Sequence, residues 1–248
     1  MVEQFWSGMD LRPGTIAGNV SQILDNIRSA ARRSGRRPEC VRLVAATKLV
    51  STDRIVEALA AGVTILGENR LQEALPKIER LGQDPVVWHF IGRLQRRKVK
   101  AVVGRFALIH SVESIELAEE INRRAAEASV RQAVLLEVNI GEERSKGGFP
   151  AQAVAEACHR MDGLAHVAVK GLMTIPPPVA DLNRTRVYFR RLRELAHSLT
   201  QAGWVNINMD ELSMGMSADY QIAVEEGATL VRIWTAIFRA RGSYAADG

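Results

Sequence analysis

The stretch "VRLVAATKLV", Val41 to Val50, sets a lysine at the end of an apolar run. Val41, Leu43, Val44, Ala45 and Ala46 are small or branched, the composition of a strand covered on both faces. Lys48 follows, then Leu49, Val50 and the helix start "STDRIVEALAAG". Burying an ammonium group without a partner is costly, and a lysine that gives up its proton in such a place is a good amine nucleophile. The plainer reading is a side chain that snorkels out at a strand end. Lysine is scarce in this chain, at positions 48, 77, 98, 100, 146 and 170 only, so one at the tip of an apolar strand is distinctive.

Outward from this stretch, short apolar runs alternate with amphipathic ones. The pattern predicts strands over 41–47, 63–66, 86–91, 107–110, 133–139, 167–173, 210–214 and 230–234. It predicts helices over 52–61, 70–81, 94–103, 115–128, 151–161, 183–202 and 218–226, with an opening helix over 16–34. Ser51 and Ser217 sit at helix starts with Asp53 and Asp219 in the first turns, and Gly62, Gly104, Gly203 and Gly227 sit at helix ends. Eight strands alternating with helices predict one (β/α)8 TIM barrel, spanning about 41–241 within a single domain 1–248, with an extra N-terminal helix. A doubly wound sheet is the runner-up; it predicts a glycine-rich turn after the first strand, and "AATKLVST" has none.

Composition agrees with an ordinary globular protein: 248 residues, 47% hydrophobic and 25% charged. No apolar run approaches the roughly 20 residues that span a bilayer. The opening "MVEQFWSGMDLRPG" lacks the pattern of a signal peptide. The two cysteines, Cys40 and Cys158, lie far apart, which fits a reducing cytoplasm and argues against a zinc site. The net charge of +5 is modest and scattered, a weak pointer to nucleic acid.

Barrel chemistry sits in the loops after the strands. Here those loops hold Lys48, "GENR" (67–70), "HFIGRLQ" (89–95), "HSVES" (110–114), "NIGEERSKGGF" (139–149), "MTIPPP" (173–178), "LSMGMS" (212–217) and "VRIWTAIF" (231–238). Ser217 at a helix start and Thr235 opening a final short helix offer hydroxyls and free N–H groups to an anion; Ser217 as a simple N-cap is the alternative. Arg232 and Trp234 share a strand face. An inward arginine needs an acceptor, either a ring nitrogen or a structural carboxylate. In "GRLQRRKVKAVVGR", helical spacing gives Arg93, Arg96, Arg97 and Lys100 one face. That face reads as solvated or, alternatively, as a nucleic-acid or protein interaction surface marked by steep salt dependence. His89 and His110 lack metal spacing and read as packed, hydrogen-bonded residues near the barrel mouth.

Taken in order, "ATK", "GENRLQEALPKI", "WHFIGRLQ", "IHSVES", "LLEVNIGEERSKGGF", "GLMTIPPP" and "LSMGMSADYQIAVEEGATLVRIWTAIF" resemble the pyridoxal phosphate homeostasis protein family. The resemblance covers about 43–241. It implies a barrel similar to the N-terminal domain of alanine racemase, with pyridoxal 5′-phosphate bound as a Schiff base on Lys48. It implies the phosphate on Ser217, Thr235 and the backbone of Trp234, Arg232 against the pyridine nitrogen, and Asn69 and Met214 lining the pocket. It implies a cytoplasmic carrier or buffer of vitamin B6 that influences amino-acid pools. Its partners would be the cofactor and pyridoxal-phosphate-dependent apo-enzymes, with a monomer favoured over a dimer.

The family shows no established turnover, and arginine, a permanent donor, does not supply the acidic partner that electron-sink chemistry profits from. A racemase- or decarboxylase-type enzyme is the alternative. Such a racemase draws a second base from a C-terminal β domain, for which the barrel leaves little chain. The family's last strand reads R-I-G-[ST]-A-I-F-G; here "RIWTAIFRA" has Trp234 and Arg239 where glycines stand. The indole of Trp234 is expected to compete for cofactor space, since glycine there permits close backbone approach.

Overall fold

The computed structural model describes residues 10–143, 146–177, 181–200 and 203–238. Its strands are β1 (Arg42–Ala46), β2 (Ile65–Glu68), β3 (Val87–Phe90), β4 (Leu108–Val112), β5 (Gln132–Asn139), β6 (Val167–Met173), β7 (Ile207–Ser213) and β8 (Leu230–Ile233). Each pairs in parallel with its neighbours, and β8 returns to β1, closing an eight-stranded barrel. The TIM-barrel expectation holds. Around the barrel lie α1 (Ile16–Arg33), α2 (Thr52–Ala60), α3 (Leu71–Leu81), α4 (Val99–Val102), α5 (Ile115–Glu127), α6 (Val154–Asp162), α7 (Leu182–Leu199), α8 (Tyr220–Glu225) and α9 (Thr235–Phe238).

Strand alternation builds two apolar layers. Val44, Ala46, Ile65, Leu108, Leu135, Met173 and Leu230 fill the barrel interior. Leu43, Ala45, Leu66, Ile109, Val134 and Val231 point outward into a larger core shared with the helices. The opening helix α1 buries Ile16, Val20, Ile23, Ile27, Ala30 and Ala31, the three-and-four spacing of one apolar stripe. Thr15 caps it by accepting the Gly18 N–H. Its polar edge is tied to the far end of the chain: Asn19 Nδ2 donates to Ile237 O at 3.0 Å and Asn26 Nδ2 to Tyr220 Oη at 2.9 Å.

Two expectations are corrected. The basic stretch does not form one helix face: Arg96–Lys98 is a 3-10 turn and α4 begins only at Val99. Arg93 instead pairs with Glu113 at 2.8 Å, and Arg97 donates to the Gln95 side chain. Ser217 is no helix cap either, because α8 starts at Tyr220 with Asp219 in the cap position. The last residues of the helix expected over 183–202, and Arg239, lie outside the described residues. No helix of the described residues is long and apolar enough to cross a membrane.

Candidate functional site

Lys48 stands half-buried in the turn after β1. The turn depends on Leu49, whose φ of 58° lies in the left-handed region that non-glycine residues seldom adopt. The Leu49 N–H donates to Glu73 Oε2 at 2.9 Å. Behind the turn is a buried polar knot. Lys77 Nζ donates to Thr47 O and to Glu68 Oε1, both at 2.7 Å, and Thr47 Oγ1 donates to the same carboxylate oxygen at 2.6 Å. Sequence reading assigned no role to Glu68 or Lys77. The available signal was periodicity: Leu71, Ala74 and Lys77 fall at spacing three on α3, and all three are buried.

Lys48 Nζ lies over the indole of Trp234, 4.4 Å from the ring centroid. This is a cation–π contact, and it brings together the first and last strands of the barrel. The backbone around Trp234 forms a cradle of donors. Ser217 Oγ accepts from the N–H of Trp234 and of Ala236, each at 3.3 Å. Both bonds lie at the long end of the N–H···O range. Thr235 and Ser217 line one cavity of about 580 Å³ with Asn19, Gln22 and Asn26 of α1.

Asn69, after β2, has a buried Oδ1 without a hydrogen-bond partner among the described residues. Its backbone is pressed against Gly92, where an added Cβ would come within 2.3 Å of Asn69 O. Met214 is wholly buried, and its side chain packs into the larger core rather than the interior layer. Glu137 is half-buried on β5; desolvation, then Glu113, raises its carboxyl above the usual range.

Arg232 is 6% exposed. Its Nη1 donates to Ser213 Oγ at 2.5 Å and its Nη2 to Thr174 O at 2.9 Å. Burial lowers the guanidinium to about 10, still protonated at neutral pH. Below it, His110 Nδ1 lies 2.8 Å from Ser213 Oγ, and His110 Nε2 lies 2.9 Å from His89 Nδ1. Burial, then Arg42, pushes His89 down to about 3. His110 is held well below the ordinary imidazole value by burial, then by His89, Arg232 and Arg42. The histidines are hydrogen-bonded as expected, but not near the mouth: His89 lines a cavity with Arg42, Val87 and Ala107 at the N-terminal ends of the strands. Inward direction at alternate strand positions was the signal for both residues, and their mutual contact was not readable from spacing.

The mouth thus combines a primary amine, a cradle of neutral N–H and O–H donors, and a permanent cationic donor rooted in the interior. No group of three or more potential metal ligands occurs among the described residues. Comparison with known proteins gives four concordant matches. The family described as "Alanine racemase, N-terminal domain" matches residues 19–241. The pyridoxal phosphate homeostasis protein of Aquifex aeolicus strain VF5 is 44% identical over 222 residues, covering 90% of this chain and 96% of that protein. The protein of the same name from Escherichia coli strain K12 is 36% identical over 229 residues, covering 91% and 97%. Among solved structures, PipY of Synechococcus elongatus PCC7942, with PLP bound, superposes with a TM-score of 0.77 at 33% identity. It covers 90% of this chain and all of that one.

Proposed function

The chain belongs to the alanine racemase N-terminal-domain family and, within it, to the pyridoxal phosphate homeostasis proteins, and from that premise we propose that it binds pyridoxal 5′-phosphate at the barrel mouth and acts in vitamin B6 homeostasis. When bound, the cofactor supplies an aldehyde that condenses reversibly with a primary amine, releasing water. Lys48 Nζ is the amine suited to hold it covalently. The Ser217 and Thr235 hydroxyls and the N–H groups of Trp234 and Ala236 bind the phosphate. Arg232 donates to the ring nitrogen, and Asn69, with its orphaned Oδ1, lines the pocket; Met214, expected beside it, packs its side chain into the outer core instead.

The donor set fits the group. Ser217 Oγ gathers the N–H groups of Trp234 and Ala236, and Thr235 lines the same cavity, a donor set that suits a phosphate, while Lys48 Nζ lies over the Trp234 indole. The observation that carries the reading is the meeting of Lys48 and Ser217 at Trp234, one over its indole and the other on its backbone N–H, two residues along the chain from the buried Arg232. The indole occupies the space above Lys48, so loading requires the Trp234 side chain to turn aside. Arg232 is held by a hydroxyl and a carbonyl, neither of which supplies a proton to the ring. Alanine racemases share such an arginine, so it does not separate the readings; a carrier or buffer with no strong turnover is favoured over a racemase or decarboxylase by the likeness to the homeostasis proteins. The protein would work in the cytoplasm as a monomer, handing the cofactor to apo-enzymes and so affecting amino-acid pools.

The test is the visible absorbance of the purified chain with and without pyridoxal phosphate, beside Lys48→Ala. An absorption band that borohydride fixes onto Lys48, and that the variant lacks, is expected. A wild-type chain that develops no band would sink the reading. Racemisation of alanine at enzymatic rates would turn it into the enzyme alternative.

A further inference from the structure

Arg232 carries its charge in the barrel interior with no carboxylate among its hydrogen bonds or ion pairs within the described residues. What holds it is a line of neutral groups. We infer that Ser213, His110 and His89 form a one-way hydrogen-bonded chain whose task is to aim Arg232 at the bound ring; all three are positioning residues. This rests on the reading of Arg232 as the partner of the ring nitrogen.

The direction follows from donor chemistry. A guanidinium has only donors, so Ser213 Oγ accepts from Arg232. The single hydroxyl proton then goes to the other neighbour, His110 Nδ1 at 2.8 Å. His110 therefore carries its own proton on Nε2 and donates it to His89 Nδ1 at 2.9 Å. His89 in turn keeps its proton on Nε2. Every donor points away from Arg232, and both rings must be neutral. Burial enforces that neutrality at each histidine. If His89 took a second proton, Nδ1 would become a donor facing His110 Nε2. His110 would then have to carry its proton on Nδ1 and donate it to Ser213 Oγ, whose own proton would lose its acceptor in this line and have to turn elsewhere, disturbing the group that holds the arginine.

The charged groups around the line come from several strands. Arg42 on β1, Lys170 on β6, and Asp210 and Glu211 on β7 border the cavity at the His89 end. Glu137 and Asp219 act on Arg232 at the other. Arg42 is engaged by Glu211, which leaves its residual positive field to oppose charging of the histidines. Apolar side chains surround the line in the interior layer, Val44, Leu135 and Leu230 among them. Two imidazoles and a hydroxyl among such neighbours are costly unless satisfied, and here they satisfy one another in series.

Two measurements on the full chain test this. The first is the nitrogen chemical shifts of the histidine rings in the unliganded protein between pH 7.5 and 5. Both His89 and His110 are expected neutral with the proton on Nε2 throughout; an Nδ1 proton or a cationic ring at either residue would overturn the chain. The second is a pyridoxal phosphate titration of wild type, Ser213→Ala and Ser213→Thr, followed by absorbance. Ser213→Ala is expected to weaken binding about tenfold, the worth of a hydrogen bond to a charged group, and to move the pH midpoint of the bound absorption band. Ser213→Thr, which keeps the hydroxyl, is expected to restore both. A wild type that binds while Ser213→Ala keeps its affinity and midpoint defeats this inference alone. A wild type that does not bind defeats the cofactor reading with it. If Ser213→Ala fails to fold, the histidine shifts still decide.

Discussion

At the scale of single residues, the site turns on what touches Lys48. The Trp234 indole covers its ammonium at 4.4 Å from the ring centroid. A cation–π contact of this kind contributes about 0.5–2 kcal/mol. Trp234→Gly removes that cover and opens the approach to the backbone N–H groups. Its rate of pyridoxal phosphate uptake, followed by stopped-flow absorbance, is expected to rise by about threefold to tenfold. An unchanged rate would mean that the indole is no obstacle. Behind the lysine, Glu68 is fully buried and its compensating charge is Lys77. Removing one partner of a buried ion pair strands the other, at about 3–5 kcal/mol. Lys77→Met is therefore expected to lose about that much in urea denaturation, whereas Lys77→Met combined with Glu68→Met is expected to recover most of it. A single variant as stable as wild type would show that the pair contributes little. Because Lys77 also holds the Thr47 carbonyl, the single variant should load less cofactor at Lys48 even where it stays folded.

At the scale of elements, the site is shaped by how strand ends are packed against one another. The loops after β2 and β3 meet at Gly92, where a side chain would collide with the Asn69 backbone. Gly92→Ala is expected to cost about 1–3 kcal/mol as overpacking and to displace Asn69, lowering pyridoxal phosphate affinity in the same absorbance titration. Stability and affinity both at wild-type levels would place no constraint on that crossing. At the other side of the mouth, α9 is only four residues long; Ser217 from the loop after β7 holds its start, and Asn19 from α1 donates to the Ile237 carbonyl near its end. The opening helix thus supports the phosphate cradle. This gives a structural role to an element whose sequence showed amphipathicity but no partner.

At the scale of the whole molecule, two neutral histidines inside the barrel tie stability to acid. The folded state keeps His89 uncharged down to about pH 3 and His110 well below its ordinary range, whereas the unfolded chain takes up protons below about 6.5. The unfolded state then binds more protons, so stability falls as pH drops from about 6.5 toward 3. The slope is at most about 1.4 kcal/mol per pH unit for each histidine. Urea midpoints at pH 7, 6 and 5 should decline accordingly, and His89→Gln should reduce the slope; a flat profile would show that the histidines charge freely in the folded barrel. The sequence by itself determined the barrel. Eight apolar runs alternating with amphipathic helices leave a parallel sheet as the way to bury both faces of each strand, and the count of eight with no glycine-rich first turn favours a closed barrel over a doubly wound sheet. It also singled out Lys48, Ser217, Arg232, Trp234 and Thr235, since side-chain direction and loop position are local properties. Only the tertiary structure decided that Lys77 and Glu68 form one buried pair, that Ser217 faces the backbone of Trp234 rather than capping α8, and that His89, His110 and Ser213 line up beneath Arg232. Those pairings join residues from different strands and helices, and the distance between two inward side chains depends on barrel tilt and register, which no single stretch of sequence contains.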